Sequence, residues 1–411
     1  MMGLLAAWAT HRQSIPDQQT VIRWRAMMRF SCLQENLARG LSIVGRAVSS
    51  RMSLPILSNI LVATDAGRLR LSATNLEIAI TCWVGAKVEE EGAIAVPART
   101  FADFIATLPA QTLEIEADES KQTLRIQCGR NRANLKGNPA EDFPARVQPT
   151  AEKAIELDAA ILRDMIAQVA FAAAPDMERP ILAGVLAEFT ADEVGTTTLA
   201  LVAADSFRLS VRTQKLDHDL SSPMQIIIPA RSLNEVARLA AETEQPIQMY
   251  VLKDRSQVLF RVNDVELVSQ LVEGLFPPYK QIIPQSYVTR TVIATKDLQA
   301  AVRRASVIAR GANNIVRLQM FAEDASGPSH MTVSAVAAEL GDNVDDIDAL
   351  VEGQSMRIAF NARYLLDLLE VVRTDNILLE TSSPSSPGVF RPQGPDAADF
   401  IHIVMPMYVA D

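Results

Sequence analysis

The stretch Ile94-Ala-Val-Pro-Ala-Arg-Thr-Phe-Ala-Asp-Phe-Ile-Ala-Thr-Leu-Pro109 joins a short apolar strand to a Pro-Ala-Arg phrase and then to an apolar pattern with helical spacing. The phrase returns twice, as Ile226-Ile-Ile-Pro-Ala-Arg-Ser-Leu-Asn-Glu-Val-Ala-Arg-Leu239 and as Ile358-Ala-Phe-Asn-Ala-Arg-Tyr-Leu-Leu-Asp-Leu-Leu-Glu-Val371. Its arginines, Arg99, Arg231 and Arg363, are each 132 residues apart. Two equal steps, each with a strand before and a helix after, predict a threefold repeat of one domain.

The repeat divides the chain into three units of domain size, each large enough to bury a core. We place unit one at 28–149, unit two at 150–285 and unit three at 286–411. Residues 1–27 form an extension before the repeat that we expect to be flexible, and Met28 would be a natural start for the protein. The apolar spacing predicts strand, helix, strands, helix, strands in each unit. The predicted fold class is therefore α+β, with two helices on one face of an antiparallel sheet in each unit.

The bulk composition describes a folded, acidic chain. Of its 411 residues 48% are hydrophobic and 21% are charged, with a net charge of −10, which does not fit a simple basic nucleic-acid binder. Cys32, Cys82 and Cys128 have no paired spacing, so we expect reduced thiols and a cytoplasmic location. No stretch has the ~18 apolar residues that a membrane span needs.

Positive charge is concentrated in the predicted helices. These segments hold eleven arginines against eight carboxylates, and the pairs Arg39/Arg46, Arg231/Arg238 and Arg303/Arg310 are each seven residues apart, on one helix face. One interpretation is solubility with some internal salt bridges. The other is a basic helical lining, inside an acidic shell, that faces phosphates without reading bases. Both remain open at this point.

No pattern of catalytic residues is present. His11, His218, His330 and His402 are scattered without metal-ligand spacing, and the acidic run Asp342 to Asp348 lacks the glycine and glutamate of a calcium loop. The sequence therefore predicts a protein that is not an enzyme and that needs no metal or cofactor. The chain ends Phe400-Ile-His-Ile-Val-Met-Pro-Met-Tyr-Val409, which fits either a core strand or one wall of an adaptable apolar groove for peptides.

Several phrases, taken in order, resemble one family. Leu54-Pro-Ile-Leu57, the Pro-Ala-Arg helices, Ala204-Asp-Ser-Phe-Arg-Leu209, Phe276-Pro-Pro-Tyr279 and Val404-Met-Pro-Met407 are similar to the bacterial β sliding clamp, the processivity subunit of the replicative DNA polymerase. The resemblance covers Met28 to Tyr408. It implies a head-to-tail homodimer: a ring of six domains, with helices lining the hole, that encircles duplex DNA. The alternative is a clamp paralogue that binds partners without being loaded on DNA.

The resemblance also implies sites and partners. The partners are double-stranded DNA, a second copy of the chain, the polymerase catalytic subunit, the clamp loader and other proteins with a clamp-binding motif. No membrane is expected among the partners. DNA contacts would include Arg51, Arg99 and Arg231, and the spacing of the helix arginines adds Arg39 and Arg46. The dimer interface sets Ala133 and Leu135 against Val307 and Ile308. A peptide groove between units two and three is lined by Leu182, Ala204, Ser206, Phe207, Arg208, Leu209, Pro277, Ile282, Val404, Met405, Pro406, Met407 and Tyr408. The family usually has Gly-His-Arg-Leu where this chain has Ser206-Phe-Arg-Leu209.

Overall fold

The described part of the chain folds into 25 strands and six α-helices, and the pairings among these strands are antiparallel, which confirms the predicted α+β class. The computed structural model describes residues 27–48, 54–146, 154–176, 178–191, 196–217, 223–252, 256–325, 327–394, 397 and 399–408. The predicted flexible extension lies outside these ranges apart from its last residue. Arg51, His11 and His218 lie outside them as well.

Unit one follows the predicted order. Its helices are α1 (Gln34–Val44) and α2 (Ala98–Thr107). Its strands are β1 (Met27–Leu33), β2 (Asn59–Asp65), β3 (Arg68–Thr74), β4 (Ile78–Val84), β5 (Lys87–Glu90), β6 (Ala93–Pro97), β7 (Thr112–Asp118), β8 (Thr123–Cys128) and β9 (Asn131–Lys136).

Unit two repeats this order with one strand fewer. Its helices are α3 (Ala159–Val169) and α4 (Ala230–Ala240). Its strands are β10 (Ile155–Leu157), β11 (Gly184–Ala191), β12 (Thr197–Ala204), β13 (Arg208–Leu216), β14 (Met224–Pro229), β15 (Ile247–Val251), β16 (Gln257–Val262) and β17 (Val265–Gln270).

Unit three has the longest strand of the described chain. Its helices are α5 (Thr295–Ala309) and α6 (Ala362–Val371). Its strands are β18 (Thr289–Ala294), β19 (Ile315–Phe321), β20 (His330–Ala337), β21 (Gly341–Gly353), β22 (Met356–Asn361), β23 (Asn376–Thr381), β24 (Gly388–Gln393) and β25 (Phe400–Val404).

The repeated phrase starts the second helix of each unit. Pro97 (φ −55°) and Pro229 (φ −51°) precede α2 and α4, and their rings hold the backbone at the strand-to-helix corner. In unit three Asn361 takes this place, and its side chain accepts a hydrogen bond from the backbone N–H of Arg363 at 3.0 Å. Either residue suits the corner, so the repeat survives the exchange.

One predicted helix is shorter than expected. Apolar spacing predicts a helix over 33–48, but α1 ends at Val44 and a short 3-10 helix, Gly45–Ala47, follows. Glycine is a poor helix former, and 3-10 geometry is common where an α-helix ends. Arg46 therefore lies in this last turn rather than on the regular face that carries Arg39.

Strand pairing continues from one unit to the next. The last strand of unit two, β17, pairs with β4 of unit one, with Val265 opposite Cys82. The last strand of unit three, β25, pairs with β13 of unit two in the same way, with Val404 opposite Arg208. Each unit junction is thus closed by backbone hydrogen bonds in a shared sheet.

The helices form a second continuous layer. The two helices of each unit pack on each other, and α3 also packs against α6. Between units one and two, the Arg46 guanidinium lies 3.9 Å from both Glu235 and Glu242 of unit two. Between units two and three, Arg373 lies 3.0 Å from Asp164. Sheets therefore cover one side of the chain and helices the other.

Buried apolar side chains lie between these layers. One cluster runs without a break from unit one into unit two, because the pairing of β17 with β4 joins strands of both units in one sheet. A second fills unit three. A third joins units two and three beneath the β13–β25 pair and includes Leu209, Tyr279 and Ile403. The three free cysteines are all buried, and burial raises the pKa of Cys32 to about 12.

Candidate functional site

A tight turn between β12 and β13 stands where unit two meets unit three. The buried Asp205 carboxylate accepts hydrogen bonds from the backbone N–H groups of Phe207 (3.0 Å) and Arg208 (3.1 Å). Ser206 has a φ of +82°, in the left-handed region that glycine adopts most easily. The turn projects Phe207 from the surface, with 54% of the residue exposed.

The C-terminal segment crosses from unit two to unit three at this turn. The backbone N–H of Met405 donates to the Phe207 carbonyl at 2.8 Å, and that of Met407 donates to the Ala359 carbonyl at 2.8 Å. Met405 remains 39% exposed and Tyr408 90% exposed. The two open interpretations therefore apply to different parts: Phe400–Val404 is core strand, whereas residues 405–408 are exposed or partly exposed.

Arg208 is occupied by contacts inside the protein. Its guanidinium donates to Asp205 (3.0 Å), to Asp367 of α6 (2.5 Å) and to the Phe171 carbonyl (2.7 Å). Its side chain is only 10% exposed. Arg208 therefore joins units two and three beneath the surface, and its guanidinium is poorly placed to meet a ligand.

Tyr364 belongs to this surface and was missed from the sequence. The Phe207 ring stacks on the Tyr364 ring with centroids 6.3 Å apart, and the Arg208 guanidinium lies 4.6 Å from the Tyr364 centroid. Burial, and then the nearby Asp205 charge, raise the pKa of Tyr364. A signal was present in the repeat: Tyr364 takes the place of Thr100 and Ser232, small hydroxyl residues in the other two copies.

We call the surface around this turn, between units two and three, the junction groove. Phe207, Pro277, Ile282 and Met405 are exposed in this region, and Leu182 and Ala204 are partly buried. Two further predicted lining residues are buried: Leu209 is 3% exposed and Val404 is fully buried. They support the groove from below, because the β13–β25 pairing turns their side chains into the apolar clusters.

The end of the chain borders a cavity in unit three. Pro406, Met407 and Tyr408 form one side of a space of about 420 Å³, opposite Arg317, Arg357 and Pro384. Met407 and Tyr408 thus face unit three, whereas Met405 contacts the turn of unit two. The predicted single groove is accordingly a longer surface that continues onto unit three.

Four of the five predicted DNA-contacting arginines fall within the described ranges, on the α-helices or in the short helical turn after α1. Arg39, Arg99 and Arg231 are all exposed on α1, α2 and α4. The Arg99 side chain is 95% exposed and lies 3.7 Å from Asp103, one turn further along its helix. Arg46 is less accessible, with 26% of its side chain exposed beside Glu235 and Glu242. Arg46 therefore fits the internal salt-bridge interpretation better than a phosphate contact.

The predicted dimer residues lie in unit one and in unit three. Ala133 and Leu135 are half-buried on β9, the edge strand of a five-stranded sheet. Val307 is 57% exposed on α5, and Ile308 packs partly against the unit-three core.

The described ranges hold no group of three or more histidine, cysteine, aspartate or glutamate side chains placed to bind a metal ion. Among the described helices, none is long and apolar enough to cross a membrane. His402 is fully buried, and burial, with a smaller effect of the Arg208 charge, lowers its pKa to about 3. Its Nδ1 lies 2.7 Å from the Ser210 hydroxyl.

Comparison with known proteins accounts for nearly the whole described chain. Family models for the N-terminal, central and C-terminal domains of the DNA polymerase III beta subunit match residues 28–147, 156–278 and 280–408. A beta sliding clamp of Staphylococcus aureus is 30% identical over 90% of this chain and 97% of its own length. One from Synechococcus elongatus is 31% identical over 92% of this chain and 99% of its own. The crystal structure of a DNA polymerase sliding clamp from Bacillus subtilis, at 28% identity, covers 93% of this chain and 100% of its own with a TM-score of 0.85.

Three repeated α+β units, joined by shared sheets on one side and by a helix layer on the other, define the class of DNA sliding clamps. The chain belongs to the DNA polymerase III beta subunit family. The relatives favour the sliding-clamp function over the alternative of a partner-binding paralogue.

Proposed function

We propose that two copies of the chain form a closed ring around duplex DNA, with the helix layer facing the phosphates. This proposal rests on the layer of six helices, which exposes Arg39, Arg99 and Arg231 in a chain whose net charge is −10. A locally basic surface inside an acidic molecule attracts the phosphate backbone without reading bases. The acidic exterior disfavours binding of DNA elsewhere.

Within the protomer, the repeat supports one particular way to close the ring. Because β17 pairs with β4 and β25 with β13, the last strand of each later unit joins the corresponding strand of the unit before it. The strand of unit three that corresponds to β4 and β13 is β21, and β18 pairs with it only from Ala349 to Gly353. We infer that β9, the last strand of unit one, pairs with the first half of β21 in the partner.

Charge supports the same pairing. The β9 strand carries Arg132 and Lys136, whereas the first half of β21 carries Asp342, Asp345 and Asp346. Opposite charges favour the correct contact between two edges and disfavour β9–β9 or β21–β21 pairing. In this arrangement Ala133 and Leu135 are expected to contact Val307 and Ile308 at each of two identical junctions related by twofold symmetry.

Topological retention tests the ring. The purified protein is placed by a clamp loader on nicked circular DNA, and its dissociation is followed at elevated salt before and after a single cut by a restriction enzyme. Phosphate contacts alone are weak and fall steeply with salt. We expect retention on the circle and rapid loss once it is cut. Equal loss from circular and linear DNA contradicts the proposal.

We further propose that the junction groove binds short peptides of the polymerase catalytic subunit, the clamp loader and other partners. Phe207, Tyr364, Met405 and Ile282 offer aromatic and thioether surface that adapts to several apolar side chains. The buried area is small, so each peptide is expected to bind with a Kd of about 1 μM, or roughly −8 kcal/mol.

In this role the protein itself catalyses no reaction. It acts in the cytoplasm as the non-catalytic processivity subunit of a DNA polymerase holoenzyme, without a cofactor or metal. Membership of the DNA polymerase III beta subunit family supports this assignment.

A further inference from the structure

The junction groove has a counterpart between units one and two, built on the same hydrogen bonds. In the junction groove, Met405 donates to the Phe207 carbonyl and Met407 to the Ala359 carbonyl, each at 2.8 Å. Between units one and two, Gln270 donates to the Glu77 carbonyl and Val272 to the Ile227 carbonyl, each also at 2.8 Å. The segment that leaves the last strand is therefore held in the same way at both junctions.

The turn beside this segment is also repeated. The buried Asn75 side chain accepts hydrogen bonds from the backbone N–H groups of Glu77 (3.0 Å) and Ile78 (2.8 Å), as Asp205 does in unit two. Leu76 has a φ of +72° and corresponds to Ser206. The Leu76 side chain is projected at the surface and is 51% exposed.

A cavity of about 300 Å³ lies at this junction. Apolar surface comes from Leu76, Phe143, Pro144 and Val268, and amide groups come from Gln257 and Gln270. Where the junction groove has Met405, this cavity has Gln270, so its lining is more polar. It therefore suits a different ligand from the purely apolar side chains proposed for the junction groove.

Several ion pairs surround this cavity, and Arg70 is the least closely paired of their arginines. Glu266 is bound by two guanidinium groups, Arg146 at 2.6 Å and Arg261 at 2.8 Å. Arg68 lies 2.6 Å from Asp264. The fourth arginine, Arg70, lies 3.6 Å from Asp65, which also accepts a hydrogen bond from the Trp83 indole. Of these arginines, Arg70 and Arg146 line the cavity together with Glu77 and Glu266, and Arg70 has the longest contact to a carboxylate.

Arg70 has hydrogen-bonding capacity to spare. Its Nε is buried and makes no hydrogen bond within the described part of the chain. Burial lowers the pKa of Arg70, and the nearby Arg146 charge lowers it further against the opposing effect of Asp65. A carboxylate entering the cavity would meet a cation whose paired carboxylate, Asp65, is as far away as 3.6 Å.

We propose that this cavity, lined by Arg70, Leu76, Phe143 and Pro144 and here called the second groove, binds a peptide segment of a partner protein in which an acidic side chain is adjacent to apolar ones. The apolar side chains pack between Leu76, Phe143 and Pro144, and the carboxylate pairs with Arg70. A ring of two chains then offers four peptide sites of two kinds, so partners of different chemistry bind the same ring without competing.

The probe is N-acetyl-Glu-Leu-Phe-amide, with N-acetyl-Gln-Leu-Phe-amide as its uncharged match. Binding to the full chain is followed through alanine methyl NMR signals. Ala140 and Ala145 line the second groove, and Ala204 reports on the junction groove. We expect the Glu peptide to shift the Ala140 and Ala145 signals, and the Gln peptide to bind there about tenfold more weakly, as one charge-assisted hydrogen bond predicts.

Two variants complete the design. Leu76→Gly removes one apolar wall at an exposed position and is expected to weaken binding of the Glu peptide at Ala140 and Ala145. Phe207→Ala is expected to abolish shifts at Ala204 and to leave those at Ala140 and Ala145 intact. Unshifted Ala140 and Ala145 signals, equal binding of both peptides, or loss of these shifts in Phe207→Ala would overturn the proposal. If only the Ala204 signal fails to shift, peptide binding at the junction groove is contradicted and binding at the second groove is not.

Discussion

Two residues hold a backbone conformation that their side chains disfavour. Leu76 (φ +72°) and Ser206 (φ +82°) follow buried Asn75 and Asp205, whose side chains fix the turn through hydrogen bonds to the next two backbone N–H groups. A residue other than glycine in this region costs of order 1 kcal/mol or more. Each turn projects a side chain at a unit junction.

Leu76→Gly is expected to increase the free energy of unfolding by about 1 kcal/mol, because glycine relieves the left-handed strain and Leu76 loses little burial. The measurement is the midpoint of urea unfolding. Leu76→Ala is the matched control, since it removes the same exposed side chain and keeps the strain. An equal effect of both substitutions would show that strain is not the cause.

His402 makes stability depend on pH. Its pKa is lowered to about 3 in the folded protein and is near 6.5 when unfolded, so between these values the unfolded state binds more protons. This contribution to stability is complete above pH ~6.5 and declines as pH falls toward 3. From pH 7 to pH 5 the wild-type chain should lose about 2 kcal/mol more than His402→Phe. Identical losses in urea unfolding would contradict this account.

At the scale of secondary structure, the chain places its surface features where elements end. The turn after β12, the corner before α6 and the segment after β25 meet at the junction groove, held by the Met405 and Met407 backbone hydrogen bonds. The strand β25 itself is buried and paired on both sides, with β13 and β24. Residues beyond Val404 can therefore change without loss of the sheet.

Deletion of residues 405–411 is expected to abolish binding of a polymerase-derived peptide while leaving the dimer intact, because the proposed dimer edges are β9 and β21. Calorimetry measures the affinity and sedimentation the dimer. Deletion of 409–411 alone, which keeps Met405 to Tyr408, is the control and should bind normally. Unchanged affinity in the longer truncation would mean that Met-Pro-Met takes no part in the groove.

At the scale of the whole molecule, the proposed ring has one kind of unit junction that forms between two chains. Within the protomer two of the three kinds of unit junction are made by strand pairing, β4–β17 and β13–β25. In the proposed ring the third is made between two copies, by β9 of unit one and β21 of unit three. Stability of the ring then depends on the apolar contact beside that edge.

Val307→Lys and Ile308→Lys are expected to weaken the dimer by about tenfold or more, because each places a charge in an apolar contact. Val307 is 57% exposed, so its substitution should not disturb the fold. Phe207→Lys adds the same charge at the junction groove and should remain dimeric. Sedimentation at low concentration decides, and an undiminished dimer in both α5 variants would place the interface elsewhere.

The sequence by itself determined the repeat, the α+β class and the helix starts, because these depend on local spacing and on residues such as Pro97 and Pro229. The buried positions of Leu209 and Val404, the internal contacts of Arg208 and the Tyr364 ring were decided by tertiary structure. Arg208 reaches Asp367, 159 residues away, because two units pack together and share a sheet. Periodicity tells which face of an element is apolar, but not which distant element will cover it.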